Sequence, residues 1–119
     1  MNTVTQTPAF KPCRTMAEVR RQVDALDDLL VPLLVERSRY MLQAARIKQH
    51  VSQVRDEGRI EAIVQRVRQL ALGEGGAPDV LEAMYRSIME VCIAYEHDEF
   101  VRLKAADDAR MPALAEVSP

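Results

Sequence analysis

Apolar residues recur at alternating three- and four-residue steps through most of the chain, a pattern that predicts amphipathic helices. The first stripe starts after Met16 and continues to Ile47, so the first helix runs for more than 30 residues. Pro32 lies inside it, and because the stripe keeps its phase on both sides we expect a kink there and not a break. The stripe comprises Val19, Val23, Leu26, Leu30, Leu33, Tyr40, Ala44 and Ile47.

Two further stripes predict a short second helix after Gly58 and a medium third helix. The segment 72–78 carries three glycines and a proline, which predicts the end of one helix and the start of the next. The second stripe is Ile60, Ile63, Val64, Val67, Leu70 and Ala71, and the third is Leu81, Met84, Ile88, Val91 and Tyr95. The chain lacks the alternation of strands, so the predicted fold is all-α. We expect a flexible tail over 1–14, one helical domain over 15–103 and a second flexible tail over 104–119.

Composition and charge argue against nucleic-acid-binding, membrane, disulfide-rich and zinc proteins. The 119 residues are enough for one domain, but long helices bury little surface alone, so pairing with a second copy is expected. A net charge of −2 gives no general attraction to nucleic acid. Without a long apolar run or a leader pattern, we expect no membrane association. Cys13 and Cys92 lie far apart without a CxxC partner, which argues against a disulfide framework or a zinc site and favours the cytoplasm.

Several charged residues fall on or beside the predicted apolar faces. Arg37 follows Leu33 by four residues on the first stripe, and Lys48 lies eleven residues further, about 20° round the helix and roughly 16 Å along it. Glu96 follows Cys92 at a four-residue step on the third helix, and Arg59 opens the second. Arg20 lies about 100° out of phase with Arg37, so it suits the site of a partner chain better than that of its own.

A buried charge costs several kcal/mol unless it is paired or serves a ligand. Any one of these residues has an ordinary structural explanation: Arg37, for example, can reach water or pair with Glu36 or Glu96. Several cations converging on apolar faces with few acids nearby favour a pocket for a small anion.

At these residues the chain resembles the all-helical class of chorismate mutases, the family that also includes isochorismate-pyruvate lyase. The resemblance covers roughly residues 13 to 100. It rests on the run Val19-Arg20-Arg21-Gln22-Val23-Asp24-Ala25-Leu26-Asp27, on Leu33-Leu34-Val35-Glu36-Arg37, on Ala44-Ala45-Arg46-Ile47-Lys48, and on Val54-Arg55-Asp56 followed by Arg59.

The resemblance implies an intertwined homodimer with two shared active sites. Arg37 and Arg20 of the partner subunit would bind the two substrate carboxylates, with Arg59 assisting. Lys48 would donate to the ether oxygen of the breaking C–O bond, and Glu96 falls where the family places a Gln or Glu facing the same oxygen. The resemblance also places Asp56, Ile60 and Cys92 at the substrate site, Cys92 as a packing contact where some relatives carry Ser. Neither a metal nor an organic cofactor is implied.

The sequence favours chorismate mutase but leaves two alternatives open. Ile60, where mutases often carry Glu, and the lead-in Cys13-Arg14-Thr15-Met16 resemble the lyase branch, which makes salicylate and pyruvate. The other alternative is a non-catalytic helical dimerisation module, while a DNA-binding dimer fits less well because the arginines lie on inward faces.

Glu96 must be protonated to donate to an ether oxygen. We therefore expect faster turnover at mildly acidic pH, an effect that Glu96→Gln would relieve.

Overall fold

The computed structural model describes residues 10–117 and the side chains of residues 10–110. These residues are helical apart from short connections, and no strand occurs among them, so the predicted all-α class is confirmed. The elements are α1 (Met16–Ile47), a 3₁₀ turn (Val51–Gln53), α2 (Glu57–Gly73) and α3 (Pro78–Val117). The chain forms two compact units, Met1–Arg37 and Ser38–Pro119. Most of the tail expected over 1–14 lies outside the described residues.

The start of α1 is fixed by side-chain hydrogen bonds. The Thr15 hydroxyl accepts a 3.1 Å hydrogen bond from the backbone N–H of Glu18, which satisfies one of the free donors of the first turn. The Glu18 carboxylate in turn accepts a 2.6 Å hydrogen bond from the N–H of Arg14. The helix continues through Pro32, in agreement with the expectation that this proline does not split it.

The apolar stripe of the first unit is exposed. Val23, Leu26 and Leu30 are each more than two fifths accessible, and Leu33 is 61% accessible. A contiguous apolar surface of this kind is typical of a face that another protein surface covers.

Helix α2 has a defined start and a defined stop. The carboxylate of Asp56 accepts a 3.0 Å hydrogen bond from the N–H of Arg59, so Asp56 is the N-cap. At the other end Gly75 has a φ of +74°, a conformation that costs glycine little. The N–H groups of Gly75 and Gly76 bond back to the carbonyls of Leu72 and Ala71, which completes a Schellman motif. The predicted stop over 72–78 is confirmed.

The core of the second unit lies between α2 and α3. Its α2 side is the predicted stripe, of which all but Leu70 is buried, but its α3 side differs from the prediction. Met84, Val91 and Tyr95 are exposed, whereas Met89 is buried and Tyr85 and Ile93 are partly buried. The sequence allows two overlapping apolar stripes on α3. Leu81 of the predicted stripe packs against the core, but Met84, Val91 and Tyr95 do not. The core consists of Ile60, Ile63, Val64, Val67 and Met89, with Leu81, Tyr85 and Ile93 packed against it.

Ion pairs join α2 and α3 along the rim of this core. Arg68 bonds the carboxylates of Asp79 and Glu82 at 2.8 Å. Arg86 bonds Glu82 at 2.8 Å and Glu61 at 3.1 Å, so Glu82 is shared by both arginines. These bonds hold the pKa of Glu82 below its usual value, the hydrogen bond from Arg86 having the largest effect. The network fixes the register of α2 against α3.

Helix α3 is the longest element, not a medium one. We expected it to end near Leu103, but it runs on to Val117, so the segment predicted as a tail is helical over 104–117. The physical reason lies in the sequence Lys-Ala-Ala-Asp-Asp-Ala-Arg over 104–110, since alanine has the highest helix propensity. Asp107 and Arg110, three residues apart, add an ion pair on the helix surface.

Candidate active site

Lys48 is held at the end of α1 by two sets of hydrogen bonds. Its own N–H bonds the carbonyl of Ala44 at 2.9 Å, and its ammonium group lies at the end of the helix where cations are favoured. The next two N–H groups, of Gln49 and His50, donate to the side-chain oxygen of Gln53 at 2.8 and 3.0 Å. Gln53 therefore fixes the loop that follows Lys48. We did not predict this role, although a Gln three residues after a turn start is a known capping pattern.

Lys48 and Glu96 form the most buried ion pair of the described residues. Lys48 Nζ donates a 2.7 Å hydrogen bond to Glu96 Oε2. The Glu96 side chain is 5% accessible and that of Lys48 28%, so the carboxylate is enclosed while the ammonium group retains a path to solvent. The residues lie 48 positions apart in sequence, and the structure brings them together as the resemblance implied. A buried carboxylate depends on its cationic partner, because an uncompensated buried charge is strongly destabilising.

Arg59 and Asp56 lie together at the start of α2, and both are exposed. The Arg59 backbone is bonded to Asp56, but its guanidinium group makes no hydrogen bond or ion pair with the part of the chain that the structure describes. It is therefore available to a ligand. Asp56 has a structural task as the helix cap whether or not it also contacts a substrate.

Ile60 and Cys92 occupy different environments. Ile60 is 7% accessible and belongs to the core between α2 and α3. Cys92 is half-buried, forms no disulfide within the described residues, and lies one turn before Glu96 on α3. Substrate contacts of either residue stay a prediction.

Arg20 and Arg37 belong to the first unit, whereas the residues above belong to the second. Arg20 is exposed, and within residues 10–117 it makes no hydrogen bond or ion pair. Arg37 is half-buried. The exposure of Arg20 is compatible with a contact outside its own chain.

The second unit thus provides a helical framework with a lysine, an unpaired arginine side chain and one enclosed carboxylate. This set can bind an anion and supply hydrogen bonds to its oxygens. In the described part of the chain, no His, Cys, Asp and Glu cluster has the size of a metal site. The described residues define an all-helical domain, and Lys48, Glu96 and Arg59 are its candidate site residues.

The family model for chorismate mutase type II matches residues 19–97, about two thirds of the chain. The protein therefore belongs to the chorismate mutase type II family, and the resemblance found in the sequence is confirmed. No curated protein sequence matches the chain. The match ends one residue after Glu96, so residues 98–117 of α3 extend beyond the family domain. Among the described helices, none is both long and apolar enough to cross a membrane.

Proposed function

We propose that this protein is a chorismate mutase that rearranges chorismate to prephenate in a site shared between two copies of the chain. The observation that carries the proposal is the enclosed Lys48–Glu96 pair, which lies inside the matched family domain. Family membership supports an isomerase-type enzyme at the level of the family. The roles of individual residues below are our assignment.

The reaction is an intramolecular Claisen rearrangement, in which a C–O bond breaks and a C–C bond forms. It requires neither a nucleophile nor a proton shuttle. It requires the enolpyruvyl arm to be held over the ring and the negative charge on the ether oxygen to be stabilised as the C–O bond lengthens. A fixed ammonium group does the second task, because it is already oriented and the site excludes much of the water.

Lys48 is assigned to the ether oxygen because its Nζ is oriented by the hydrogen bond to Glu96, while Gln53 fixes the backbone that follows Lys48. Glu96 would donate a second hydrogen bond to the same ether oxygen. It must be protonated to do so, since a carboxylate has no hydrogen-bond donor. Substrate binding would then replace the hydrogen bond from Lys48 to Glu96 by one from Lys48 to the ether oxygen. A deprotonated Glu96 instead places a negative charge beside the charge that develops in the transition state.

The two carboxylates of the substrate need further cations. Arg37 and Arg59 are assigned to them, together with Arg20 of the partner subunit. The unpaired guanidinium group of Arg59 supports its part in this assignment. The exposed apolar stripe of Leu26, Leu30 and Leu33 supports the dimer, because a monomer would leave that surface in water.

Isochorismate-pyruvate lyase activity is the second candidate, and Ile60 is the observation that favours it. An aliphatic side chain in place of a carboxylate removes one partner for the ring hydroxyl, whose position distinguishes the two substrates. Ile60 is also a member of the core, so the assignment of its side chain to the ring hydroxyl belongs to this second proposal.

The proposal is tested by incubating the protein with chorismate and following prephenate, with Lys48→Ala as the matched variant. We expect turnover by the wild type and a loss of about 10²–10³ in kcat for the variant, the usual cost of removing one such donor. Equal turnover by both proteins would contradict the assignment of Lys48. No turnover of chorismate by the wild type would contradict the mutase: turnover of isochorismate would then favour the lyase, and turnover of neither substrate would favour the non-catalytic dimerisation module.

A further inference from the structure

A recess opens beside Lys48 and uses the part of α3 that lies beyond the family domain. Its volume is about 260 Å³. The α1 side is formed by residues 46, 48 and 49, and the α3 side begins one turn after Glu96. The lining residues are Arg46, Lys48, Gln49, Phe100, Leu103, Lys104 and Asp107.

The recess carries an excess of positive charge. Asp107 is paired with Arg110, and Lys48 is paired with the enclosed Glu96, so these charges are largely matched. Among the described side chains, Arg46 bonds only the neutral side chain of Gln43, at 2.6 Å. Lys104 has neither an ion pair nor a hydrogen bond with the side chains described over 10–110. Within this part of the chain, two cations without a carboxylate partner therefore line the same recess as Lys48.

Lys104 has a particular position among these cations. It also lines a neighbouring recess of about 480 Å³ that shares Gln49 and Phe100 with the first. It therefore lies on the rim between the two openings, with Phe100 as the apolar wall next to it. An apolar wall strengthens the field of a nearby charge because it excludes water.

We propose that this recess is a collecting site, that is, a surface region that raises the local concentration of the dianionic substrate by electrostatic attraction. Lys104 and Arg46 are the cations that attract the substrate towards Lys48. The inference rests on the proposed function. Lys104 is a positioning residue that acts through its field and is not required for the chemical step. Lys104 lies on the part of α3 that extends beyond the matched residues 19–97.

The size of the effect follows from Coulomb's law. One charge acting on a dianion about 10 Å away through water changes local substrate concentration about fourfold at low salt. Lys104→Gln removes the charge and should raise KM about fourfold. Lys104→Glu reverses the charge and should raise KM by more than tenfold. The kcat of both variants should equal that of the wild type.

The experiment is a KM and kcat series for the full-length protein at low ionic strength and at about 0.5 M salt, where charges are screened within about 4–5 Å. Arg102→Gln is the matched control, because it removes one positive charge from the same helix about 160° away from Lys104. We expect KM to rise in Lys104→Gln at low salt only, and to stay unchanged in the control.

Two outcomes would overturn the inference, and they are distinguishable. If the wild type turns over substrate but the KM of Lys104→Gln equals that of the wild type at low salt, the collecting site is wrong and the proposed function stands. If the wild type turns over neither chorismate nor isochorismate, the proposed function fails and the collecting site fails with it.

Discussion

Lys48 Nζ lies 2.7 Å from Glu96 Oε2, and this bond joins the end of α1 to the middle of α3 across 48 residues of sequence. The carboxylate is enclosed and the lysine is the partner that makes its burial tolerable. The pair therefore has two consequences that can be separated by experiment: one for the stability of the fold and one for the chemistry of the site.

For stability, Lys48→Ala should destabilise the protein by about 3 kcal/mol, because it leaves a buried carboxylate without its cation. Adding Glu96→Gln should restore most of that loss, since a neutral amide is easier to bury. Urea unfolding of the two single variants and the double variant measures the coupling. Lys104→Ala, which removes an unpaired lysine, is the control and should unfold like the wild type. A Lys48→Ala protein as stable as the wild type would show that the pair contributes nothing.

For the chemistry, the wild type should be faster at mildly acidic pH, because only a protonated Glu96 can donate to the ether oxygen. Turnover by the wild type should therefore fall as pH rises, and turnover by Glu96→Gln should be nearly independent of pH. Glu90→Gln alters an exposed carboxylate on the same helix and should keep the wild-type profile. Parallel pH profiles for the wild type and Glu96→Gln would exclude Glu96 from the reaction.

Asp56 caps α2, and the family resemblance also places it at the substrate site. Two substitutions distinguish these two roles. Asp56→Ala removes the cap of α2 and should cost about 1 kcal/mol in the free energy of unfolding. Asp56→Asn keeps a capping oxygen and should leave stability unchanged, but it should lower kcat/KM if the charge of Asp56 serves the substrate site. An unchanged kcat/KM in Asp56→Asn would leave Asp56 with the structural task alone.

The Arg55–Glu90 pair predicts a pH-dependent contribution to stability. Hydrogen bonds from Arg55 hold the pKa of Glu90 below its ordinary value of 4.5. A depressed pKa in the folded state stabilises the fold above the unfolded-state pKa, and the effect is lost as pH falls through the folded-state pKa. Arg55→Gln should therefore be less stable than the wild type at pH 7, and the difference should shrink below pH 4.5. Urea unfolding at pH 7 and pH 3 checks this, and a difference equal at both pH values would contradict it.

The proposed sharing of the site between two subunits predicts complementation between inactive chains. In a mixed dimer of Arg20→Ala and Lys48→Ala chains, one of the two sites has every residue intact. Random exchange of subunits should restore about a quarter of the wild-type activity. A mixture of Arg37→Ala and Lys48→Ala is the control and should stay inactive, because both residues are assigned to the same subunit. Equal activity of the two mixtures would contradict a site shared through Arg20.

The sequence was sufficient for the class of fold, the start of each helix and the stop over 72–78. These features depend on local patterns: a capping Thr15, a proline at the start of α3 and a glycine with positive φ. The residues of the enclosed ion pair were also found, since a charge on an apolar face is visible in the sequence. The prediction that Lys48 and Glu96 lie close together depended on the family resemblance and not on the apolar pattern.

The remaining features depend on tertiary packing. The face of α3 that meets α2 was predicted wrongly because Met84 and Met89 lie on two apolar stripes that the sequence does not distinguish. The end of α3 was placed too early because its alanines and acidic residues resemble a tail when they are read without their helical spacing. The position of Lys104 beside the recess was missed for the same reason, since a residue in a predicted flexible tail is not expected to line a site.

The most direct test of the account compares chorismate and isochorismate as substrates of the wild type, with products separated by chromatography. We predict prephenate from chorismate with a higher kcat/KM than the release of pyruvate and salicylate from isochorismate. Dominant formation of salicylate and pyruvate would contradict the mutase assignment and place the protein in the lyase branch.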